Sequence, residues 1–329
     1  MNGSALSYIR AGNVADALHQ GAQPTAAYFA GGTDLMQLWK LGVPRPRLVV
    51  DISRLPLADV HLRAGLLNIG ALAKLSDVAS HQHVARSHPL IVEAIFASAS
   101  GQVRNMATVG GNLMQRTRCA YFRTEGFACN KRAPGSGCSA LAGENRSAAL
   151  FGASAACVAT HPSDLAVALA ALDAQVTVLG SDGERRFGLA DLYRLPGDSP
   201  EIDTTLARGD LITSVEVKDA ERFAPRSTYL KVRDRASFEF AVVSVAAALR
   251  FDGGVIVEAR LAIGGVAPMP WRLSECESIL VGRTPNAESF STAAALAVRD
   301  AQPLAQNGFK IELLKRAIVR ALETIGGPQ

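Results

Sequence analysis

A chain of 329 residues, 48% hydrophobic and 19% charged, has more apolar material than one ordinary core holds, so two or three domains are expected. A net charge of +4, 6% aromatic residues and no basic run interleaved with aromatics give no nucleic-acid-binding surface. Residues 1–6 lack a basic stretch followed by an apolar one, and the longest uncharged stretch (147–163) carries His161 and Pro162 among small residues, so neither a leader nor a membrane span is expected. The chain reads as made in the cytoplasm, with carriage into the periplasm by a signal-bearing partner left open.

In chain order, Asn13 is placed to cap a short helix through Leu18, because its side chain accepts from free first-turn amides. Residues 26–30 read as a buried strand ending in Gly31-Gly32-Thr33-Asp34, followed by a helix from Asp34 to Lys40 that Gly42 and the prolines stop. Strands are expected at 48–52 and 66–69, then two helices between Ser76 and Ala99, the second opened by Pro89. From Leu113 to Thr160 the periodicity fails, and a loop this long in a compact domain is uncommon unless it has a function.

Ser163 is placed to cap a helix through Leu172, and residues 175–179 form a strand that Ser181-Asp182-Gly183 turns into a hairpin. Charged residues and Pro225 cluster at 220–226, where a domain boundary is expected. Beyond it, runs at 240–251 and 255–263 joined by Asp252-Gly253-Gly254 make a second hairpin, with helices at 288–298 and 310–324.

Two glycine pairs carry chemical interest. Phe29-Ala30-Gly31-Gly32-Thr33-Asp34-Leu35 and Thr108-Val109-Gly110-Gly111-Asn112 each place two glycines beside small polar groups, where backbone amides approach a phosphate closely. Gly31-Gly32 matches neither the G-x-G-x-x-G fingerprint nor a P-loop, and taken alone it reads more readily as a plain strand-to-helix turn. Together they suit a long ligand gripped at both ends. Four of five cysteines, Cys119, Cys129, Cys138 and Cys157, fall in the irregular loop with spacings of nine, eight and eighteen residues. Zinc, an iron–sulfur cluster and four unrelated thiols all remain open on spacing. Arg116, Arg118, Arg123, Lys131, Arg132 and Arg146 outnumber Glu125 and Glu144 there, and such cations would stabilise an anionic cluster. Cys276 and the lone His161 are given no functional role.

The two glycine segments, Pro162-Ser163-Asp164 and Tyr229-Leu230-Lys231-Val232-Arg233 resemble the FAD-binding subunit of the xanthine dehydrogenase, or molybdenum hydroxylase, family over essentially the whole chain. The resemblance is strongest to the medium-subunit type of three-subunit periplasmic aldehyde oxidoreductases, because Arg116 to Cys119, Cys129 to Arg132, Pro134 to Cys138 and Cys157 resemble its cluster-binding segments. Ala120 stands where proline is expected, which touches no ligand.

The resemblance implies an α+β fold: a two-subdomain FAD-binding domain over residues 1–223, with a cysteine-rich loop at about 114–160, then a smaller α+β domain over 224–329 with an antiparallel sheet and helices. It implies FAD as cofactor, its pyrophosphate held by Ala30, Gly31, Gly32, Thr33, Asp34 and Leu35, with Tyr28 and Phe29 leading in. Thr108, Gly111 and Asn112 would lie along the cofactor, and Asp164, Leu211 or Ile212, and Lys231 near the flavin. A lysine at the flavin's electron-poor edge would favour the anionic reduced form, whereas read alone Lys231 is an ordinary surface cation. The resemblance further implies a 4Fe–4S cluster on Cys119, Cys129, Cys138 and Cys157. The implied activity is electron transfer in a molybdenum-dependent aldehyde oxidoreductase, between a molybdenum-cofactor large subunit with a 2Fe–2S small subunit and an external acceptor. No nicotinamide fingerprint is visible. A hydroxybenzoyl-CoA reductase-type subunit and a non-redox, zinc-binding scaffold are the alternatives.

Overall fold

A computed structural model describes residues 6–43 and 46–327; residues 1–5, which carry most of the leader reading, and Pro44 lie outside this description. Three sheets organise the chain. The first is parallel and three-stranded, with Leu48–Asp51 between Ser7–Arg10 and Ala26–Phe29. Parallel pairing needs a crossover, supplied by the helix Val14–Gly21, whose start is fixed where Asn13 accepts the Asp16 amide at 2.9 Å.

The second sheet is antiparallel and five-stranded, in the order Val60–Arg63, Leu66–Gly70, Leu211–Lys218, Gln175–Gly180, Gly183–Gly188. Helices cover its inner face. Among them Asp164–Ala171 is buried almost all round and capped by Ser163, which accepts the Ala166 amide at 2.9 Å. Leu211–Lys218 bonds strands on both sides, yet its mixed Thr, Ser, Glu and Lys content hides it in the sequence. The helical region expected as two elements resolves into three, Leu75–Ser80, Gln82–Ser87 and Pro89–Ala97, broken at His81 and His88. The second glycine pair is not an open turn. It sits inside the short helix Val109–Leu113, where Thr108 Oγ1 accepts the Gly111 amide at 3.2 Å.

The last third builds the third sheet around the hairpin Val243–Asp252 and Val255–Gly264, flanked by Ser227–Val232 and Trp271–Arg272. Gly253 and Gly254 turn it with φ of +55° and +83°, which only glycine adopts without strain. Leu314, Ala317, Ile318, Ala321, Leu322 and Ile325 line one stripe of the helix Phe309–Gly326 and bury it against this sheet. A 3₁₀ turn, Ala220–Arg226, joins the two halves. The fold is α+β, as expected.

The third unit also grips the end of the cysteine loop. Asn307, fully buried, donates to the carbonyls of Ala148 and Ala149 at 3.1 and 3.2 Å. Lys310 is 1% exposed and donates to the carbonyls of Ser147, Ala148 and Gly265 at 3.1, 3.0 and 2.9 Å. Asn145 and Gln306 exchange two further bonds at 3.0 Å each. Burial first, then the charge of Arg146, push the Lys310 ammonium down to about 8. Lys310→Met takes the donor from the Ser147 and Gly265 carbonyls, leaves Ala148 with Asn307 alone, and is expected to cost about 2–4 kcal/mol in thermal or urea unfolding. Because the folded value lies below that of the unfolded chain, the penalty of the buried charge is fully felt below about pH 8. Between there and 10.5 the folded chain has released a proton that the unfolded chain keeps, so this contribution to stability rises with pH, and Lys310→Met removes the rise.

Candidate functional site

A cleft of about 510 Å³ opens where the parallel sheet meets the five-stranded one, a size within the range of small-molecule sites. Its floor is the first glycine turn: Ala30, Gly31, Gly32, Thr33, Asp34 and Leu35, preceded by Tyr28. Gly31 is obligatory because a Cβ there would stand 2.0 Å from the backbone oxygen of Met106, in the segment that leads to Thr108. Gly32 has a φ of +70° and lies against the Phe29 ring. The opposite wall comes from Ala71, Leu72, Thr108, Gly110, Gly111, Leu211 and Ile212. The two glycine pairs, 79 residues apart in numbering, thus meet across one cleft.

Tyr28 holds this arrangement from below. Its hydroxyl donates to the carbonyl of Gly209 at 2.7 Å and reaches that of Ala17 at 3.1 Å, while burial, then the charge of Asp210, push it up to about 12.

Four of the sequence-expected residues do not line the cleft. Phe29 points beneath the turn, against Gly32. The Asn112 side chain accepts the Ser163 hydroxyl, bracing the helix cap. Asp164 and Lys231 form an ion pair of 2.9 Å with both side chains at most 5% exposed. Tyr229 donates to the same carboxylate at 2.7 Å, and the ammonium donates also to the Ala97 carbonyl at 3.0 Å. Lys231 is therefore no surface cation. It is a buried, fully partnered group tying the C-terminal sheet to the helices beneath the cleft.

The cleft is closed by side chains that sequence reading did not assign to it. Arg116, Phe122, Lys131 and Arg132 reach in from the cysteine loop, alongside Leu38, Val43, Ile52, Met114, Leu206 and Asp210. In the sequence Arg116, Lys131 and Arg132 stand out only as cations of the cysteine loop.

The cysteine loop is folded on itself although it holds one turn of helix, Ala120–Arg123, and no strand. Cys129 and Cys138 face each other across an antiparallel bridge, secured by Asn130 N–H to Gly137 O at 2.7 Å and Ser139 N–H to Ala128 O at 2.9 Å. The Asn130 amide donates to Ala156 O at 3.1 Å, which ties this hairpin to the Cys157 segment. Arg132 collects the carbonyls of Tyr121, Phe122 and Thr124 at 2.7–2.9 Å. Cys119 borders two small apolar clusters, one that contains Cys129 and one that Cys138 also borders.

All four thiols are free. Burial raises Cys119, and Cys129 and Cys138 add to the rise; burial pushes Cys157 up to about 11, Lys131 opposing and Cys138 and Cys119 adding. The thiols thus lie within electrostatic reach of one another. Among the described residues no three His, Cys, Asp or Glu side chains converge on a single ion. An iron–sulfur cluster holds its ligands farther apart than one ion does. The four thiols do not share one lining: Cys119 borders both small apolar clusters, Cys129 belongs to one, Cys138 borders the other and Cys157 belongs to neither.

The basic surplus of the loop has a different use from the one expected. Arg116 and Lys131 pair with Asp203, Arg118 and Arg123 with Asp34, and Arg146 with Asp234, while Arg132 serves carbonyls. These cations neutralise carboxylates and fasten the loop. His161 is edge-on to Tyr193 with ring centroids 4.7 Å apart, and burial pushes it down to about 4, which agrees with a structural role.

Residues 4–217 match the profile of the FAD binding domain in molybdopterin dehydrogenase, and residues 228–325 that of the CO dehydrogenase flavoprotein C-terminal domain. The chain is 43% identical over 326 residues to the aldehyde oxidoreductase FAD-binding subunit PaoB of Escherichia coli K12, covering 97% of each. It is 28% identical to the glyceraldehyde dehydrogenase medium chain of Sulfolobus acidocaldarius, covering 85% of this chain and 83% of that one. The fold superposes on a chain of the CO dehydrogenase of Oligotropha carboxidovorans with a TM-score of 0.77 at 20% identity, covering 98% of each. With its cleft, its paired glycine segments and both domain profiles in one polypeptide, the chain belongs to the family of FAD-binding medium subunits of the molybdenum hydroxylases.

Proposed function

We propose that this chain is the FAD- and 4Fe–4S-carrying subunit of a molybdenum-dependent aldehyde oxidoreductase. It receives electrons from a molybdenum-cofactor large subunit and a 2Fe–2S small subunit and delivers them to an external acceptor. The observation that carries the reading is the contiguity of the two sites: the loop that bears the four cysteines also supplies a wall of the cleft built on the glycine turns. The 43% relative, named as an aldehyde oxidoreductase FAD-binding subunit, supports the choice of reaction.

When bound, FAD supplies two-electron storage with one-electron exchange, and a four-cysteine cluster supplies one-electron relay. The chain's own contribution is placement. Backbone at Gly31 and Gly32 admits a pyrophosphate at close range, and Leu38, Val43, Ile52, Leu72 and Leu211 keep the cleft apolar. The Cys119 and Cys157 thiols, raised by burial, must lose their protons as metal binds, so loading releases protons and is favoured by higher pH. No helix among the described residues is long and apolar enough to cross a membrane. Synthesis in the cytoplasm, with any export alongside a signal-bearing partner, belongs to the same proposal.

Two substitutions test the two cofactors separately. Gly31→Ala forces a methyl group onto the Met106 carbonyl and should lower stability by about 1–3 kcal/mol. The flavin-to-protein absorbance ratio of the purified complex should fall with it. Gly12→Ala, which meets nothing within 4 Å, is the matched control and should keep its flavin. Cys129→Ser should remove the broad visible shoulder and bound iron while most of the flavin stays at saturating FAD. Iron content unchanged by Cys129→Ser overturns the ligand assignment, and a colourless parent chain containing zinc overturns the electron-transfer reading.

A further inference from the structure

Asp34 directly follows the glycine turn, at the start of the helix Leu35–Lys40, yet its carboxylate makes no bond to its own helix. Helix-start aspartates ordinarily accept from first-turn amides. Here both oxygens turn to the cysteine loop. Oδ1 accepts from Arg118 at 2.8 Å and Arg123 at 2.9 Å, and Oδ2 accepts the backbone amide of Arg116 at 2.8 Å. The Asp34 side chain is 14% exposed, and such a partly dry, three-donor site makes these bonds worth more than a surface pair.

Both arginines are themselves held. Arg118 lies 4.8 Å from the Phe240 ring centroid and donates to Gln115 at 3.1 Å; Arg123 donates to Thr117 O at 2.8 Å. They flank Cys119 on either side in sequence. One turn farther along the same helix, Leu38 packs with Phe122 and Cys129, so a second and apolar contact joins the same two elements. The loop in return walls the cleft through Phe122, Lys131 and Arg132.

We propose that Asp34 is a positioning residue that couples the two cofactor sites: it fixes the cysteine loop to the glycine turn, so that loading either site strengthens binding at the other. The proposal rests on the FAD and cluster reading above. By linkage the coupling is reciprocal: filling the cysteines orders the wall of the flavin cleft, and FAD orders the loop.

The test uses the full-length chain, titrated with FAD by flavin fluorescence quenching before and after its cysteines are loaded with iron and sulfide. Loading is expected to tighten FAD binding about tenfold in the parent, inside the usual span of coupling between sites. In Asp34→Asn this ratio falls to near one while iron is still taken up and its visible absorption retained. Arg123→Gln, which breaks the contact from the loop side, has the same effect, and the double variant is no worse than either single one. Should Asp34→Asn not fold, Arg123→Gln alone decides the matter. A ratio kept in the variants, or no ratio in a parent that binds iron, overturns the coupling. A parent that takes up no iron overturns the cluster reading instead. The Asp34 coupling is then judged by limited proteolysis between residues 124 and 143: FAD slows cleavage in the parent and not in Asp34→Asn, and equal protection in both overturns it.

Discussion

Between residue 31 and the backbone of Met106 there is space for a hydrogen atom and none for a methyl group. This one steric constraint lets the parallel sheet approach the helical segment 107–113 closely enough to make a cleft with two glycine walls. Everything else about the cleft is arranged around that contact. Thr108 caps the helix on one side, Tyr28 anchors the strand beneath the other, and Gly32 takes the positive φ that turns the chain away. A binding site made of backbone in this way tolerates changes of side chain around it and tolerates almost none at the glycine itself.

The loop of residues 113–160 shows how an irregular segment becomes ordered without regular secondary structure. Its backbone polar groups are satisfied by arginine and asparagine side chains in place of a ladder, as with Arg132 on three carbonyls and Asn130 bridging to residues 137 and 156. Its cations are matched by carboxylates from outside the loop, Asp34 and Asp203 above all. The loop is thereby neutralised and pinned at once, leaving its thiols in largely apolar surroundings.

Much of the fold was legible because it is written in local chemistry. Asn13 and Ser163 announce helix starts, Asp252-Gly253-Gly254 announces a hairpin, and the 3–4 spacing of Leu314, Ile318 and Leu322 announces a buried helical stripe. Ser7–Arg10 and Leu211–Lys218 were not legible. Each is a strand only because neighbours supply its hydrogen bonds, and neither has clean alternation of its own. The site divides in the same way. Its glycine turns could be read directly, being backbone features with a fixed residue requirement. The roles of Asp34, Asp164 and Lys231 could not, since their partners lie between 65 and 134 residues away, and charge counts within the loop did not point its arginines at these carboxylates.

The clasp between residues 145–149 and 306–310 sets an order of events during biosynthesis. Its bonds join groups 158 to 163 positions apart, so this fastening of the end of the cysteine loop waits until nearly the whole polypeptide has been made. The parallel sheet, whose strands all lie before residue 52, is complete long before that. Domains fold as units as they emerge, so the clasp is made after every residue that lines the cleft, the last of them Ile212, has been made. Closing the end of the cysteine loop is therefore among the last folding steps of the chain.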